Sequence, residues 1–396
     1  MANYLVLSSS IVFFLFITFF SCPSNAADYN VLNSGAKPDG KSDSTQAFHK
    51  AWGSACNSTQ TATIYVPRGR FLLKNVVFRG LYKSRIEFRI NGTLVAPSDY
   101  RAIGDSSGYW ILFVQVNSVS VIGRTLDAKG GAFWACLTSG KNCPVGARSI
   151  TFNWANNILV SGLTPINREL SHIVINSKGD CNNVMIRNVK IIALDQSPNT
   201  DGIHVQLSIR VTISGNSIRT GDDHISIGPR TRNLWMEGIR CGPGHSVSLG
   251  SLAKELNEDG VQNITLTKSI FTGSDNGVSI KSWARPSKAF VRDISFQNIL
   301  MRNVQNPIII YQNYCPNNQG CPSQSSGVKI SEVTYKNIHG TSATQVAVTF
   351  DCSPSNPCKG IRLQDIKLSY LNKPAQASCR HIGGTSTGVI VPQSCL

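Results

Sequence analysis

A short pattern recurs along the chain and restricts its fold more than any other feature. An aliphatic residue, any residue, a second apolar residue and any residue lead into Gly, Asn or another polar residue. It reads VSVIG from Val119, ILVSG from Ile158, VMIRN from Val184 and VTISG from Val211. It returns as ITLTK from Ile264, ISFQN from Ile294, VTYKN from Val333 and IRLQD from Ile361. Successive starts lie 39, 26, 27, 53, 30, 39 and 28 residues apart, and 53 is close to two steps of 27. Apolar and polar residues alternate in each unit, which is the period of a β-strand. Long stripes of period 3.6 are scarce; STQAFHKAW, residues 44–52, is the best short helix. A repeat of this length built from strands stacks coil on coil. Gly and Asn at matching positions suit the turns, because they tolerate positive φ. A β-sandwich or barrel would also use short strands. The repeated register favours an all-β chain folded as a single-stranded parallel β-helix. No Pro/Gly/Ser-rich linker divides the sequence, so one domain over residues 27–396 is expected.

The first residues belong to a different class. An apolar run, IVFFLFITFF at residues 11–20, precedes the small residues Ser24-Asn25-Ala26. This reads as a secretory signal peptide over residues 1–26, cut near Ala26–Ala27. The run is short for a spanning helix, and no later segment could cross a bilayer. The mature chain is therefore expected to be exported and soluble, with no membrane partner. Acceptor sequons at Asn57, Asn91 and Asn263 fit that route. The formal charge of +16 comes from 38 basic and 22 acidic residues, and the basic ones are spread along the chain. Aromatic-basic nucleic-acid signatures are missing, so the favoured partner is an acidic extracellular polymer and not nucleic acid.

Twelve cysteines are present, and loss of Cys22 with the signal leaves eleven. Close spacing pairs Cys136 with Cys143, Cys315 with Cys321 and Cys352 with Cys358; Cys379 with Cys395 is a fourth pair. Cys56, Cys181 and Cys241 remain, so at least one thiol is unpaired within the chain. The spacings differ from zinc knuckles, and no metal is expected.

Four motifs carry chemistry. They are SPNTDG with Asn199 and Asp201, TGDD with Asp222 and Asp223, CGPGHS with His245, and VSIKSW with Lys281. Asp201 to Asp222 is 21 residues and Asp222 to His245 is 23, so coils of that length would stack these side chains on one groove. Lys281 lies 36 residues further on, so a coil there must carry a loop. Three carboxylates beside a lysine and a histidine suit glycosidic cleavage, which needs one protonated acid and one carboxylate that handles water. Crowding raises one pKa and leaves others ionised. A lysine facing the groove can hold the carboxylate of an acidic sugar. A single Asp would more simply make an Asx turn between strands; four motifs in register favour catalysis.

The order Asn-Thr-Asp, Gly-Asp-Asp, Gly-His, Ile-Lys resembles plant polygalacturonases, the family 28 glycoside hydrolases. GAKPDGKSDSTQAFHKAW, VPRGRFLL, NLWMEGIRCGPGH and NPIIIYQNYC are similar to that family too. The general look is nearest to its pollen exopolygalacturonase group. The resemblance implies a right-handed parallel β-helix of the pectin-lyase-like kind. It implies a secreted, exo-acting hydrolase of α-1,4-galacturonan that inverts configuration, works in the cell wall on pectin as a monomer, and uses no metal or organic cofactor. Asp201 would be the general acid, and Asp222 and Asp223 would position and deprotonate water. Inversion asks for carboxyls about 6.5–9.5 Å apart. His245 would support the acid's protonation, Lys281 and Tyr314 would bind substrate, and Asn199 would line the same cleft.

Departures from the family pattern are specific. Ser279 stands where the family usually has Arg, so a planar fork for a carboxylate is missing. Ser246 replaces a usual Gly, and Tyr311 a frequent Asp. His224 stands where the family has a Cys bonded to the equivalent of Cys241, which implies that Cys241 has lost its partner. Ser279, Ser246 and His224 motivate an alternative, a weakened relative that binds acidic wall polysaccharide with little turnover; the intact Asp trio opposes it. A calcium-dependent pectate lyase on the same fold is opposed by the Asn-Thr-Asp/Gly-Asp-Asp pattern.

Overall fold

The computed structural model describes residues 26–104, 107–167, 169–177, 179–193, 197, 200–316 and 319–396. Asn199 and nearly all of the expected signal segment lie outside the described residues. The described chain winds into a parallel β-helix. One sheet of 11 strands runs from Val76–Arg79 to Gln376–Arg380, with each strand beside the next in chain order; a second, of 20 strands, forms the remaining walls. Among the described residues the pairing is parallel throughout, except where Ser369 and Tyr370 meet Pro374 and Lys373.

The repeat units stack in register. Ser120 pairs with Leu159, one residue into each unit. Ile158 then pairs with Val184 and Val184 with Val211. Further on, Ile264 pairs with Ile294, Ile294 with Val333 and Val333 with Ile361. The 53-residue gap holds one more rung, Leu234, which pairs with both Val211 and Ile264. That gap divides unequally, into coils of 23 and 30 residues.

The interior follows from the alternation. Val160, Ile186, Ile213, Met236, Leu266, Phe296, Tyr335 and Leu363 form one inward column, all buried. Burying each of the aliphatic, Met and Phe side chains in it contributes about 1.5–3 kcal/mol before entropy is counted. Coil corners turn on residues with positive φ: Asn157, Asn183, Arg210, Asn233, Asn263 and Asp293 occupy equivalent positions. All but Arg210 are short polar side chains, which tolerate that conformation, and the Asn residues bond from coil to coil. Asn183 donates to Asn157 at 2.6 Å, and Asn263 donates to Asn233 at 2.7 Å.

The expected helix forms at Thr45–Cys56. Its buried face, Ala47, Phe48, Ala51, Trp52 and Ala55, follows helical spacing. Trp52 meets Phe78, Phe88 and Phe113 at ring distances of 5.1, 5.8 and 6.0 Å. A solenoid exposes its core at each end, and this helix covers one end. The four expected disulfides form, and Cys56, Cys181 and Cys241 stay free. Among the described residues no helix is long and apolar enough to cross a membrane.

Candidate active site

The 11-stranded sheet places the carboxylates. Asp201 precedes Ile203–Val205, the Asp222-Asp223 pair precedes Ile225–Ile227, and His245 precedes Val247–Leu252. Ile203 pairs with Ile225 and Ile225 with Val247, so each coil here takes 22 residues and three turns lie along one edge. The next coil, Val247 to Val278, is longer by nine residues and carries the loop around Lys254. The turns are tied together by backbone: Gly202 N–H donates to the Asp223 carbonyl at 2.9 Å, and His245 N–H to that of Asp222 at 2.8 Å. Gly202 is required by this closeness, since a Cβ there would sit 2.5 Å from the His224 carbonyl oxygen.

Asp201, Asp222, Asp223, Lys281 and Tyr314 line one cleft of about 270 Å3. His245 stands at its rim, with Nδ1 3.0 Å from Asp222 Oδ1 and Nε2 3.7 Å from Asp275 Oδ2. The expectation tied His245 to the acid. Its ring faces Asp222 and Asp275, and the hydrogen bond with Asp222 raises the imidazole pKa against the opposing effect of burial.

Two carboxylates have opposite surroundings. Burial, reinforced by the charges of Asp222 and Asp223, pushes Asp201 up to about 7. Its Oδ2 accepts from Ser226 Oγ at 2.7 Å, and that hydroxyl lies 2.7 Å from His204 Nδ1. Ser226 has one proton and gives it to Asp201, so His204 must donate to Ser226 from Nδ1. Burial holds His204 down to about 4, so this ring is neutral at ordinary pH. Asp223 is also buried, which alone would raise its pKa. The Lys281 ammonium at 2.8 Å and the Ser246 and Ser248 hydroxyls, both at 2.6 Å, more than offset this and hold it below the ordinary carboxylate range.

Lys281 is largely enclosed, and its Nζ also lies 5.2 Å from the Tyr314 ring centroid. Ser279 is buried, with its Oγ 3.1 Å from Ser246 Oγ. The two departures from the family pattern are therefore one feature, a chain of hydroxyls from Ser279 through Ser246 to Asp223. His224 is fully buried, with Nε2 3.3 Å from the Pro243 carbonyl and its ring 6.1 Å from that of Phe271. Burial pushes its pKa down to about 4.

Donor atoms of Asp222, Asp223 and His245 lie within 4.8 Å of one another. This set is already engaged: Asp223 receives three donors, one of them cationic, and His245 Nδ1 faces Asp222. A metal ion there would compete with the Lys281 ammonium for Asp223.

The expected site residues did not include His204, Ser226 or Ser248. A signal was present in ISI, VSL and VSI at Ile225, Val247 and Val278, where one serine recurs between apolar neighbours. Ser226 pairs with Ser248 and Ser248 with Ser279, so the three form a column toward the cleft.

The chain matches the glycosyl hydrolases family 28 over residues 56–394. A polygalacturonase of Prunus persica is 54% identical over 391 residues, covering 98% of both chains. An exopolygalacturonase of Platanus acerifolia is 37% identical over 375 residues, covering 93% of this chain and 98% of its own. The solved structure of a hyperthermoactive exopolygalacturonase from Thermotoga maritima shares the fold, with TM-score 0.76 at 19% identity over 92% of this chain and 91% of that one. With its motifs, β-helix and matched length together, the chain belongs to the glycosyl hydrolases family 28.

Proposed function

We propose that this chain is a secreted polygalacturonase that hydrolyses α-1,4 linkages of pectin's galacturonan from a chain end, with inversion. Its family makes it a pectin-degrading glycoside hydrolase. The observation that carries the assignment of roles is the divergence of two neighbouring carboxyls, Asp201 held protonated to about 7 and Asp223 held ionised. Such divergence separates acid from base within one cleft. Asp201 gives its proton to the leaving glycosidic oxygen, while Ser226 fixes its Oδ2. Asp223 and Asp222 orient water and take its proton. His245 steadies Asp222. Lys281 and Tyr314 receive the sugar carboxylate, and Lys281 at the same time keeps Asp223 charged. Asn199 is assigned to the same cleft from the family resemblance.

The mature enzyme is proposed to be one monomeric solenoid domain from residue 27, exported to the cell wall. Neither nucleic acid nor a membrane is a partner, and neither metal nor cofactor takes part. Asp201→Asn is expected to abolish release of reducing ends from polygalacturonate while the fold survives; full activity in that variant sinks the role assignment. Product profiling decides the mode: monomer alone marks end attack, and a ladder of oligomers overturns it. The alternative of a weakened binder draws on Ser279, Ser246 and His224. Ser246, with Ser279 against it, donates a hydroxyl hydrogen bond to Asp223, which favours turnover.

A further inference from the structure

A second recess adjoins the catalytic cleft and shares Lys254 with it. It measures about 530 Å3. Loops leaving three successive strands of the 11-stranded sheet wall it. Lys254 and Leu256 follow Val247–Leu252, Arg285 follows Asn276–Trp283, and Cys321 follows Asn306–Tyr314. The Arg285 guanidinium lies 5.0 Å over the Trp283 ring, which meets Tyr314 edge-on at 5.2 Å. Tyr314 in turn faces Lys281. A run of cation, two rings and cation thus joins the cleft to the recess.

Arg285 is also held by its backbone. Its N–H donates to the Trp283 carbonyl at 2.9 Å, and its carbonyl accepts from Gly327 N–H at 2.8 Å. A guanidinium stacked on a ring keeps its N–H edge for an acceptor in its own plane, and that fork fits a carboxylate. Among the described residues, neither Lys254 nor Arg285 forms an ion pair with a carboxylate. Glu258, beside Lys254, braces the loop by accepting from the backbone N–H groups of Ala253 and Lys254. Leu256, 55% exposed, offers an apolar face to the C–H side of a sugar ring.

We propose that this recess is a second uronate subsite, in which Arg285 and Lys254 bind the carboxylate of a sugar unit further along the polymer cut at Asp201. The subsite rests on the polygalacturonase reading of the cleft. It answers the polymer's regular spacing of negative charge with a second cation, apart from Lys281, which is already committed to Asp223.

The test titrates the full mature chain, carrying Asp201→Asn to prevent turnover, with galacturonate oligomers of increasing length and with their methyl esters. Addition of Arg285→Gln is expected to weaken binding of long acidic oligomers about tenfold, the scale of one charged hydrogen bond. The galacturonate dimer and the neutral esters should respond little, and Arg285→Lys should recover part of the loss. Equal affinity for long acidic oligomers with and without Arg285, at unchanged melting temperature, overturns the subsite. So does equal affinity of the Arg285 protein for acidic and esterified oligomers. Length-dependent, charge-dependent binding without turnover when Asp201 is present would refute the hydrolase reading and leave the subsite standing. Turnover without that dependence refutes the subsite alone.

Discussion

Replacing Asp201 with Asn should make the protein more stable, and only above mildly acidic pH. Burial and the charges of Asp222 and Asp223 raise this carboxyl from 3.8 to about 7 in the folded chain. A group whose folded pKa exceeds its unfolded one contributes fully below the unfolded value. That contribution is lost as pH rises through the folded value. Wild-type stability should therefore fall between about pH 4 and 7 from this group. At about 1.4 kcal/mol per pH unit, the ceiling at pH 8 is about 4 kcal/mol. The Asp201 side chain keeps 21% exposure, and water at the cleft mouth offsets part of this, so about 2–4 kcal/mol is expected. For a chain of about 370 residues this is about 3–5 °C in Tm. Asn is uncharged and keeps an oxygen for Ser226, so the variant escapes the cost of ionisation. Thermal unfolding of both proteins at pH 4 and pH 8 measures it. A gain confined to pH 8, with activity abolished, is the expected result. An equal difference at both pH values, or a less stable variant at pH 8, would refute the reasoning that the acid is held protonated against its own solvation.

Three further outcomes follow from the same geometry. Ser226→Ala removes a hydrogen bond that lowers Asp201's pKa, so the alkaline limb of the kcat/KM profile should move up by about one pH unit; an unmoved or lowered limb contradicts the relay. Ser279→Arg alone should impair turnover, because the new side chain has to break into the buried Ser279–Ser246 contact. Adding Ser246→Gly opens that space, and the pair should lower KM on polygalacturonate below that of the single variant; additive effects would show that the two positions are independent. His224→Cys places a thiol where Cys241 lacks a partner. Three thiols are free now, so a bridge leaves two and its absence leaves four; thiol titration and Tm decide, with a bridge and a higher Tm expected.

The fold was legible because the repeat is physical. Inward aliphatic residues and positive-φ corners recur at every coil, and eight units were visible in the sequence at their structural register. The unit from Leu234, LWMEG, was passed over although it has the same form. Trp235 makes it look like a continuous apolar run, while in the structure that ring is 43% exposed. The site was legible in spacing, since 21 and 23 residues lie close to the 22-residue coils that stack Asp201, Asp222 and His245. What spacing could not supply was which atom meets which. His245 reaches Asp222 and not Asp201 because the two share a turn-to-turn backbone contact. Ser279 looked like a lost substrate contact because its match to Ser246 is created only by coil stacking. Serine is too common for its recurrence at Ser226, Ser248 and Ser279 to stand out before the register is known.

The stereochemistry of the first-formed product tests the account most directly. Proton NMR during the first minutes of polygalacturonate cleavage reads the anomer at the new reducing end before it mutarotates. Direct attack by water held by Asp222 and Asp223, with Asp201 as acid, predicts the β-anomer first and the α-anomer only later. An α-anomer formed first would mean a covalent intermediate, and an unsaturated end group would mean elimination; either contradicts the roles given to the three carboxylates.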